Sequence, residues 1–238
     1  MNKPFVSIIT PTKDRIEFIT NILRNFYRQD YPNEKMELLI GDEGGGNYME
    51  KLLPKDRQEL RYFNFDKITI GEKRNKLCEL AKGEIIIFMD DDDYYPEDRV
   101  SHAVEKLLES DCLVAGCSEM YIYFSKENQI FLSNSFGKNH ATCATIALKK
   151  KYLDIKKFNK NDGHAEESFF LNNFKTKIVK LDTTKTIICI AHQNNTINKY
   201  KFGNKKLTNL RLKDFNLKDV DINFYKKIYD RQKKIKNM

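Results

Sequence analysis

An α/β fold on a mainly parallel sheet flanked by helices is the fold class predicted, and three observations predict it. Short β-like apolar runs alternate with helical periods through roughly the first 110 residues. Polar clusters directly follow three of those runs, as they do where parallel strands end and ligands gather. The third cluster is four consecutive aspartates, Asp90 to Asp93, placed after Glu84-Ile85-Ile86-Ile87-Phe88-Met89.

Taken in order, Phe5-Val6-Ser7-Ile8-Ile9 reads as a buried strand. Ile16, Ile19, Leu23, Phe26 and Tyr27 then mark one face of a helix at three- and four-residue spacing. Leu38-Leu39-Ile40 is the second strand, and a polar loop follows. Glu72 to Lys82 reads as a helix closed by Gly83, and Glu84 to Met89 as the third strand. Pro96 opens the next helix, with Val100, Ala103, Val104, Leu107 and Leu108 facing inward.

The second half is less regular. Cys112 to Gly116 reads as a strand, Met120 to Phe124 and Gln129 to Leu132 as an antiparallel pair, and Glu166 to Phe174 as a helix carrying Phe169, Phe170 and Phe174. Lys177 to Leu181 and Thr186 to Ala191 are further β segments. From Lys201 onward the helical spacing is weak, which suits a mobile appendage or a docking element.

The 238 residues, 40% of them hydrophobic, suffice for a real core. No apolar stretch approaches the roughly 20 residues that span a bilayer, and the N-terminus lacks a basic-then-apolar leader, so a soluble, cytoplasmic protein is expected. The five cysteines are odd in number and include no C-x-x-C pair, which argues against a disulfide framework or a zinc site and for buried thiols in a reducing compartment. The net charge of +8 is uneven: residues 199–238 hold 13 Lys+Arg and 4 Asp+Glu, and subtracting these from 42 and 34 leaves 29 and 30 for residues 1–198. Basicity is therefore a property of the tail, suited to an anionic surface, and no nucleic-acid partner is expected for the body.

Four carboxylates at the end of an apolar strand repel one another by roughly 3 kcal/mol per close pair at an effective dielectric near 20. A hard divalent ion with oxygen ligands is the natural compensation, and such an ion usually works with a phosphate-bearing substrate. Thr10-Pro11-Thr12-Lys13-Asp14-Arg15 after the first strand and Asp42-Glu43-Gly44 after the second should meet the aspartates in space. Gly44-Gly45-Gly46 resembles a phosphate cradle, but with no G-x-G-x-x-G or Walker pattern it reads as a flexible turn.

The ordered set V-S-I-I-T-P-T, I-G-D-E-G, G-E-K-R-N-K-L, F-M-D-D-D-D and A-E-E-S-F-F resembles family 2 of the nucleotide-sugar glycosyltransferases, over roughly residues 4 to 195. The resemblance implies a GT-A fold, a Rossmann-like mixed and mainly parallel sheet, here with a basic C-terminal appendage. It divides the chain into a nucleotide-binding half (1–110), an acceptor half (111–198) and the tail (199–238). It also implies a UDP-sugar donor, Mn²⁺ or Mg²⁺, and a glycan, protein or lipid-linked acceptor.

Position by position, Pro11, Thr12, Lys13 and Arg15 resemble the family's first nucleotide-binding loop, and Asp42 its nucleobase contact. Arg74 and Asn75 resemble its Arg-Asn pair, with Arg74 near the base or phosphates. Asp90 and Asp92 fit its D-x-D motif, the first addressing ribose or the ion and the second coordinating the metal. Asp91 and Asp93 stay open in either role, and the spacing to Pro96 is about one residue shorter than in common members.

Glu166-Glu167 resembles the family's Glu-Asp motif near the acceptor, whose second carboxylate is the base; this implies Glu167, with Glu166 as fallback, and inversion at the anomeric carbon. A Glu stands where the family has Asp and reaches one methylene further. The pair also suits the first turn of a helix through its charge alone. His192, after a β-like run, is a further metal ligand or diphosphate contact, or a strand-end histidine bonded to backbone. His140 and His164 lie in polar loops that substrate or solvent can reach. Two other readings remain open: a nucleotidyltransferase making nucleotide sugars, though T-P-T-K-D-R is not its glycine-rich loop, and a non-catalytic module docking through the basic tail.

Overall fold

Seven strands form the central sheet of the computed structural model, which describes residues 3–44, 49–161, 166–201 and 204–236, with backbone alone for residue 201 and residues 229–236. Strands β1 (Val6–Thr12), β2 (Met36–Asp42), β3 (Leu60–Asn64) and β4 (Ile85–Phe88) run parallel in the order β3-β2-β1-β4. Next to β4 lies β8 (Ala147–Lys149), antiparallel both to β4 and to β5 (Val114–Gly116), and β9 (Ile178–Lys180) closes the far edge parallel to β5. The sheet is thus mixed and parallel-rich. Its β1 and β2 are buried along their whole length, which is why they read as near-continuous apolar runs.

Register brings the polar strand ends level. Thr12 pairs with Asp42, and Asp42 with Asn64, so the carboxyl ends of three neighbouring strands form one edge. The connecting helices are α1 (Ile19–Tyr27), α2 (Ile70–Leu80) and α3 (Arg99–Leu108). In α1, Ile19, Ile22 and Phe26 face the core, but Ile16 and Tyr27 are 43% and 38% exposed. Ile16 falls in a separate 3-10 turn, Ile16–Phe18, whose tighter winding turns Phe18 inward instead. Leu108, expected inward, is the last residue of α3 and is exposed.

Helix α2 is capped by the Thr69 hydroxyl, which accepts from the Glu72 amide, and it ends at Leu80 with Ala81 already extended. Gly83 therefore does not close the helix in a left-handed turn. It is small because the chain passes β1 there: a Cβ on Gly83 would lie 2.4 Å from the Ser7 nitrogen.

A second sheet has the order β10-β6-β7-β11, from β10 (Ile188–Ala191), β6 (Tyr121–Phe124), β7 (Gln129–Ser133) and β11 (Lys205–Leu207). The expected antiparallel pair is β6 and β7. The expected helix to Phe174 is only α4 (Glu166–Phe170), because Asn172, Asn173 and Phe174 take positive φ of 53°, 52° and 58°. Asparagine tolerates the left-handed region, and two in succession end a right-handed helix.

The C-terminal segment, read in sequence as a basic appendage, contributes β11 to the second sheet and then α5 (Asp219–Lys236). Leu212, Leu217, Phe224, Tyr225 and Ile228 join Phe18, Tyr94 and Ile188 in one buried cluster. Asp221, 1% exposed, sits between Arg24 at 3.1 Å and Arg28 at 2.9 Å. All five cysteines are buried and free, and among the described residues no helix is long and apolar enough to cross a membrane.

One buried carboxylate ties the amino end of the sheet. Glu37 in β2 accepts from Ser7 Oγ at 2.6 Å, the Lys82 amide at 2.6 Å and Arg61 Nη1 at 2.8 Å. Truncation strands the Ser7 hydroxyl and the Lys82 amide, while Arg61 keeps the Leu80 carbonyl, so Glu37→Ala is expected to lower unfolding free energy by about 3 kcal/mol. Urea denaturation at pH 7 checks this, and a loss under about 1 kcal/mol would mean that water replaces the carboxylate.

Candidate active site

The aspartate run leaves β4 at the carboxyl edge and meets the end of β1. Arg15 bridges it, Nη1 donating to Asp91 Oδ1 at 2.6 Å and Nη2 to Asp92 Oδ2 at 2.8 Å. Thr12 Oγ1 donates to Asp91 Oδ2 at 2.6 Å, and the Phe18 ring lies under the guanidinium at 4.4 Å. Thr12 and Pro11 are strand residues, because β1 runs on to Thr12 instead of stopping at Ile9.

Asp91, Asp92 and Asp93 are buried, whereas the Asp90 side chain is 31% exposed. Burial pushes Asp91 up to about 8 and Asp93 up to about 7, with the neighbouring Asp92 charge adding to both and Arg15 and Lys199 respectively opposing. For Asp92, burial is outweighed by Arg15 and His192, which hold it well below the usual carboxylate range. Asp92 is therefore the buried member of the run whose charge its partners favour most.

His192, at the end of β10, points its Nε2 at Asp92 Oδ2, 3.1 Å away. Its Nδ1 accepts from the Asn194 amide at 3.2 Å, which assigns the proton to Nε2. Burial lowers the imidazole pKa despite Asp92. In this arrangement His192 orients Asp92, and ligating an ion through Nε2 would require giving up that proton.

Asp42 ends β2, with Oδ1 accepting from the Asp14 amide at 2.9 Å and Oδ2 from the Tyr62 hydroxyl at 2.9 Å. Asp14 takes φ 48°, the turn that carries the chain from β1 towards Arg15. A Cβ on Gly44 would lie 1.9 Å from Asp14 Oδ1, so Gly44 is held against this loop by close approach. Gly45, Gly46 and His164 lie outside the described residues. Lys13, at the rim, pairs with Glu43 at 2.8 Å.

Arg74 on α2 spans two carboxylates: Nε donates to Glu166 Oε1 at 3.0 Å and Nη2 to Asp90 Oδ1 at 3.2 Å. Its Nη1 is buried without a hydrogen-bond partner, a spare cationic donor beside the acidic edge. Asn75 turns the other way, its amide exchanging two 2.9 Å bonds with the Phe158 backbone. The Glu pair is split by this geometry. Burial would raise Glu166, but Arg74 holds it below its ordinary value; Glu167 makes no such ion pair among the described residues and is pushed up by burial and by Glu166, with Arg74 opposing. Cys143 Sγ and an oxygen of each Glu lie within 4.8 Å of one another. His140 lies apart from these contacts, bonded to Ser118 Oγ at 3.0 Å and packed between Phe136 and Phe174.

Sequence reading missed the residues that hold the run in place. Asn195 Nδ2 donates to Asp92 at 3.2 Å, Lys199 reaches Asp93 at 3.6 Å, and the Asn21 and Asn25 amides bind backbone carbonyls of the run. Buried Lys73 donates to the Thr12 carbonyl at 2.6 Å. A polar residue on the buried face of α1 was the one linear signal for Asn21 and Asn25.

A divalent ion fits this donor set. Asp90 and Asp92 could supply hard oxygens, the first part-exposed and the second held low in pKa, and the Asp92 bonds to Arg15, His192 and Asn195 all fall on Oδ2. The cationic Arg74 and Arg15 beside them suit an anion shared with the ion.

The mixed, parallel-rich sheet flanked by helices is the GT-A fold, which solved structures share. Staphylococcus aureus TarS 1-349 in complex with UDP-GlcNAc superposes with a TM-score of 0.65 at 19% identity, covering 83% of this chain and 61% of that one. A mannosyltransferase from Pyrobaculum calidifontis in complex with GDP-Man and Mn²⁺ gives 0.62 at 17% identity, covering 85% and 59%. The chain belongs to glycosyl transferase family 2, which matches residues 7–191, as the motif order implied. Among curated relatives, a Campylobacter jejuni GalNAc(5)-diNAcBac-PP-undecaprenol beta-1,3-glucosyltransferase is 25% identical over 191 residues, 73% of this chain and 61% of that protein. The S. aureus poly(ribitol-phosphate) beta-N-acetylglucosaminyltransferase TarS is 27% identical over 101 residues, 41% of this chain and 18% of that protein.

Proposed function

We propose that the protein is an inverting, divalent-metal-dependent glycosyltransferase that moves a sugar from a UDP-linked donor to an acceptor hydroxyl. One observation carries this reading: Arg15 gathers Asp91 and Asp92 while Arg74 gathers Asp90 and Glu166, so ion ligands, phosphate-binding cations and a candidate base share one edge. The relatives' names support sugar transfer, the UDP-GlcNAc complex of TarS supports the nucleotide, and the Mn²⁺ in the mannosyltransferase complex supports the ion.

Residues 1–110 hold the donor in this scheme. Asp42, fixed by Tyr62, takes the nucleobase; Thr12, Lys13 and Arg15 line the ribose and phosphates, with Pro11 and Asn75 shaping the backbone around them. Asp90 and Asp92, the latter oriented by His192, would hold Mn²⁺ or Mg²⁺, which when bound would supply Lewis-acid neutralisation of the departing diphosphate. Glu167 takes the acceptor hydroxyl proton as that oxygen bonds to the anomeric carbon and the carbon–diphosphate bond breaks, inverting the centre. Glu166 stays ionised and holds Arg74.

Residues 111–198 face the acceptor. Lipid-diphosphate and ribitol-phosphate polymers in the relatives' names favour a phosphate-bearing glycan, which the exposed Lys206, Lys213, Lys218, Lys226 and Lys227 suit by charge. The test needs no acceptor. Incubation with UDP-glucose, UDP-galactose, UDP-GlcNAc or GDP-mannose is expected to release UDP slowly from one UDP-sugar in Mn²⁺ and from none in EDTA. Absence of nucleotide release together with absence of UDP binding would sink the proposal.

A further inference from the structure

The aspartate run is gripped from behind by backbone. Asn21 on α1, 0% exposed, uses both hydrogens of Nδ2, one to the Asp91 carbonyl and one to the Asp93 carbonyl, each at 2.9 Å. Asn25 Nδ2 adds a bond to the Asp93 carbonyl at 2.8 Å and takes the Tyr95 amide on its oxygen. The Asp91 carbonyl belongs to the peptide plane that leads into Asp92 and the Asp93 carbonyl to the plane that leaves Asp93, so the Asn21 amide pins the backbone on both sides of the Asp92-Asp93 pair and with it the direction in which the Asp92 side chain leaves the chain.

The remaining atom of that amide is held from far away in sequence. The Tyr225 hydroxyl donates to Asn21 Oδ1 at 2.5 Å and lies 3.2 Å from the Asp93 carbonyl. Tyr225 is fully buried on α5, which is anchored one turn earlier by Asp221 against Arg24 and Arg28. The four residues from Asp221 to Tyr225 place both side chains on one helix face, against α1. Burial raises the phenol well above its ordinary pKa, so it stays a donor at neutral pH. Without it, a buried amide oxygen is left unpaired, and Asn21 regains a partner only by swinging away from the carbonyls it holds.

We infer that Tyr225, from the C-terminal helix, is a positioning residue that acts through Asn21 to set the metal-binding geometry of the aspartate run. The C-terminal segment is then part of the catalytic apparatus, although it lies beyond the residues matched by the family. The inference rests on the metal site proposed above.

The test measures Mn²⁺ binding in the presence of UDP from the electron paramagnetic resonance signal of the free ion, alongside thermal melting. Tyr225→Phe, which keeps the ring, is expected to weaken Mn²⁺ about 3- to 10-fold at a temperature far below its melting point. Asn21→Asp, which swaps the donating NH2 for a carboxylate oxygen, is expected to weaken it at least as much. Asn223→Ala, on the exposed side of α5, is expected to leave it unchanged. Wild-type protein without Mn²⁺ binding would defeat the metal site itself. Wild-type binding that both variants retain, or failure of both to fold, would overturn the positioning role and leave Tyr225 a packing residue.

Discussion

Asp92→Asn is expected to bind UDP no more tightly in Mn²⁺ than in EDTA, a loss of about 100-fold or more against wild type in Mn²⁺. Asp92 combines the features an ion ligand needs: a charge kept by Arg15 and His192 despite burial, and an orientation fixed by His192 and Asn195. Asparagine keeps the size and loses the charge. Arg15 then retains Asp91 as its buried partner, so the fold should survive, and circular dichroism with a melting curve separates misfolding from lost binding. Calorimetric titration of UDP with and without Mn²⁺ reads the effect. Unchanged affinity in Mn²⁺ would remove Asp92 as a ligand and pass the role to Asp90 or Asp91.

How much of this was legible in the sequence depends on how each feature is encoded. Strands β1, β2 and β4 are buried on both faces, so apolar runs interrupted by little more than Ser7 and Glu37 betray them, and the polar residues that follow mark the carboxyl edge. Strand β3 sits on the sheet edge with partly exposed residues, and β8 is three residues long, so neither leaves a periodic trace. The C-terminal helix hides its buried face because Asp221 interrupts the apolar spacing and lysines dominate the composition. Asp221 is stable there because Arg24 on α1 and Arg28 just past its end face it, a pairing 193 residues apart for Arg28 that no linear pattern carries. The site divides in the same way. Arg15, Asp42 and the aspartates stand at or just past strand ends where chemistry is expected, whereas Asn21 reaches Asp91 across 70 residues from inside a helix. The register of the run was open for a related reason: four identical side chains differ only by what the fold sets against each, and it is Asp92 that His192 and Asn195 face, while Arg15 is shared with Asp91.

Glu167→Gln is expected to keep UDP and Mn²⁺ affinity within about twofold and to lower transfer by about 10²- to 10⁴-fold, the range of a lost general base. The two neighbouring glutamates predict opposite outcomes. Glu166 is ion-paired to Arg74 at 3.0 Å and held below its ordinary pKa, so its lone pairs already serve a cation and it is a weak proton acceptor. Glu167 is raised, by burial first and by the adjacent Glu166 next, which makes it the stronger base of the two. The sign of the pH dependence follows. A base works deprotonated, so the wild-type rate should fall as pH drops through the raised Glu167 pKa, above the pH where an ordinary glutamate would titrate. In Glu167→Gln that acid limb should disappear along with most of the rate. Glu166→Gln should behave differently, loosening Arg74 and so weakening donor binding while the limb from Glu167 persists. Initial rates across pH for both variants, with UDP affinity measured in parallel, distinguish base from anchor. Full activity in Glu167→Gln, or loss of the acid limb in Glu166→Gln alone, would move the base to Glu166.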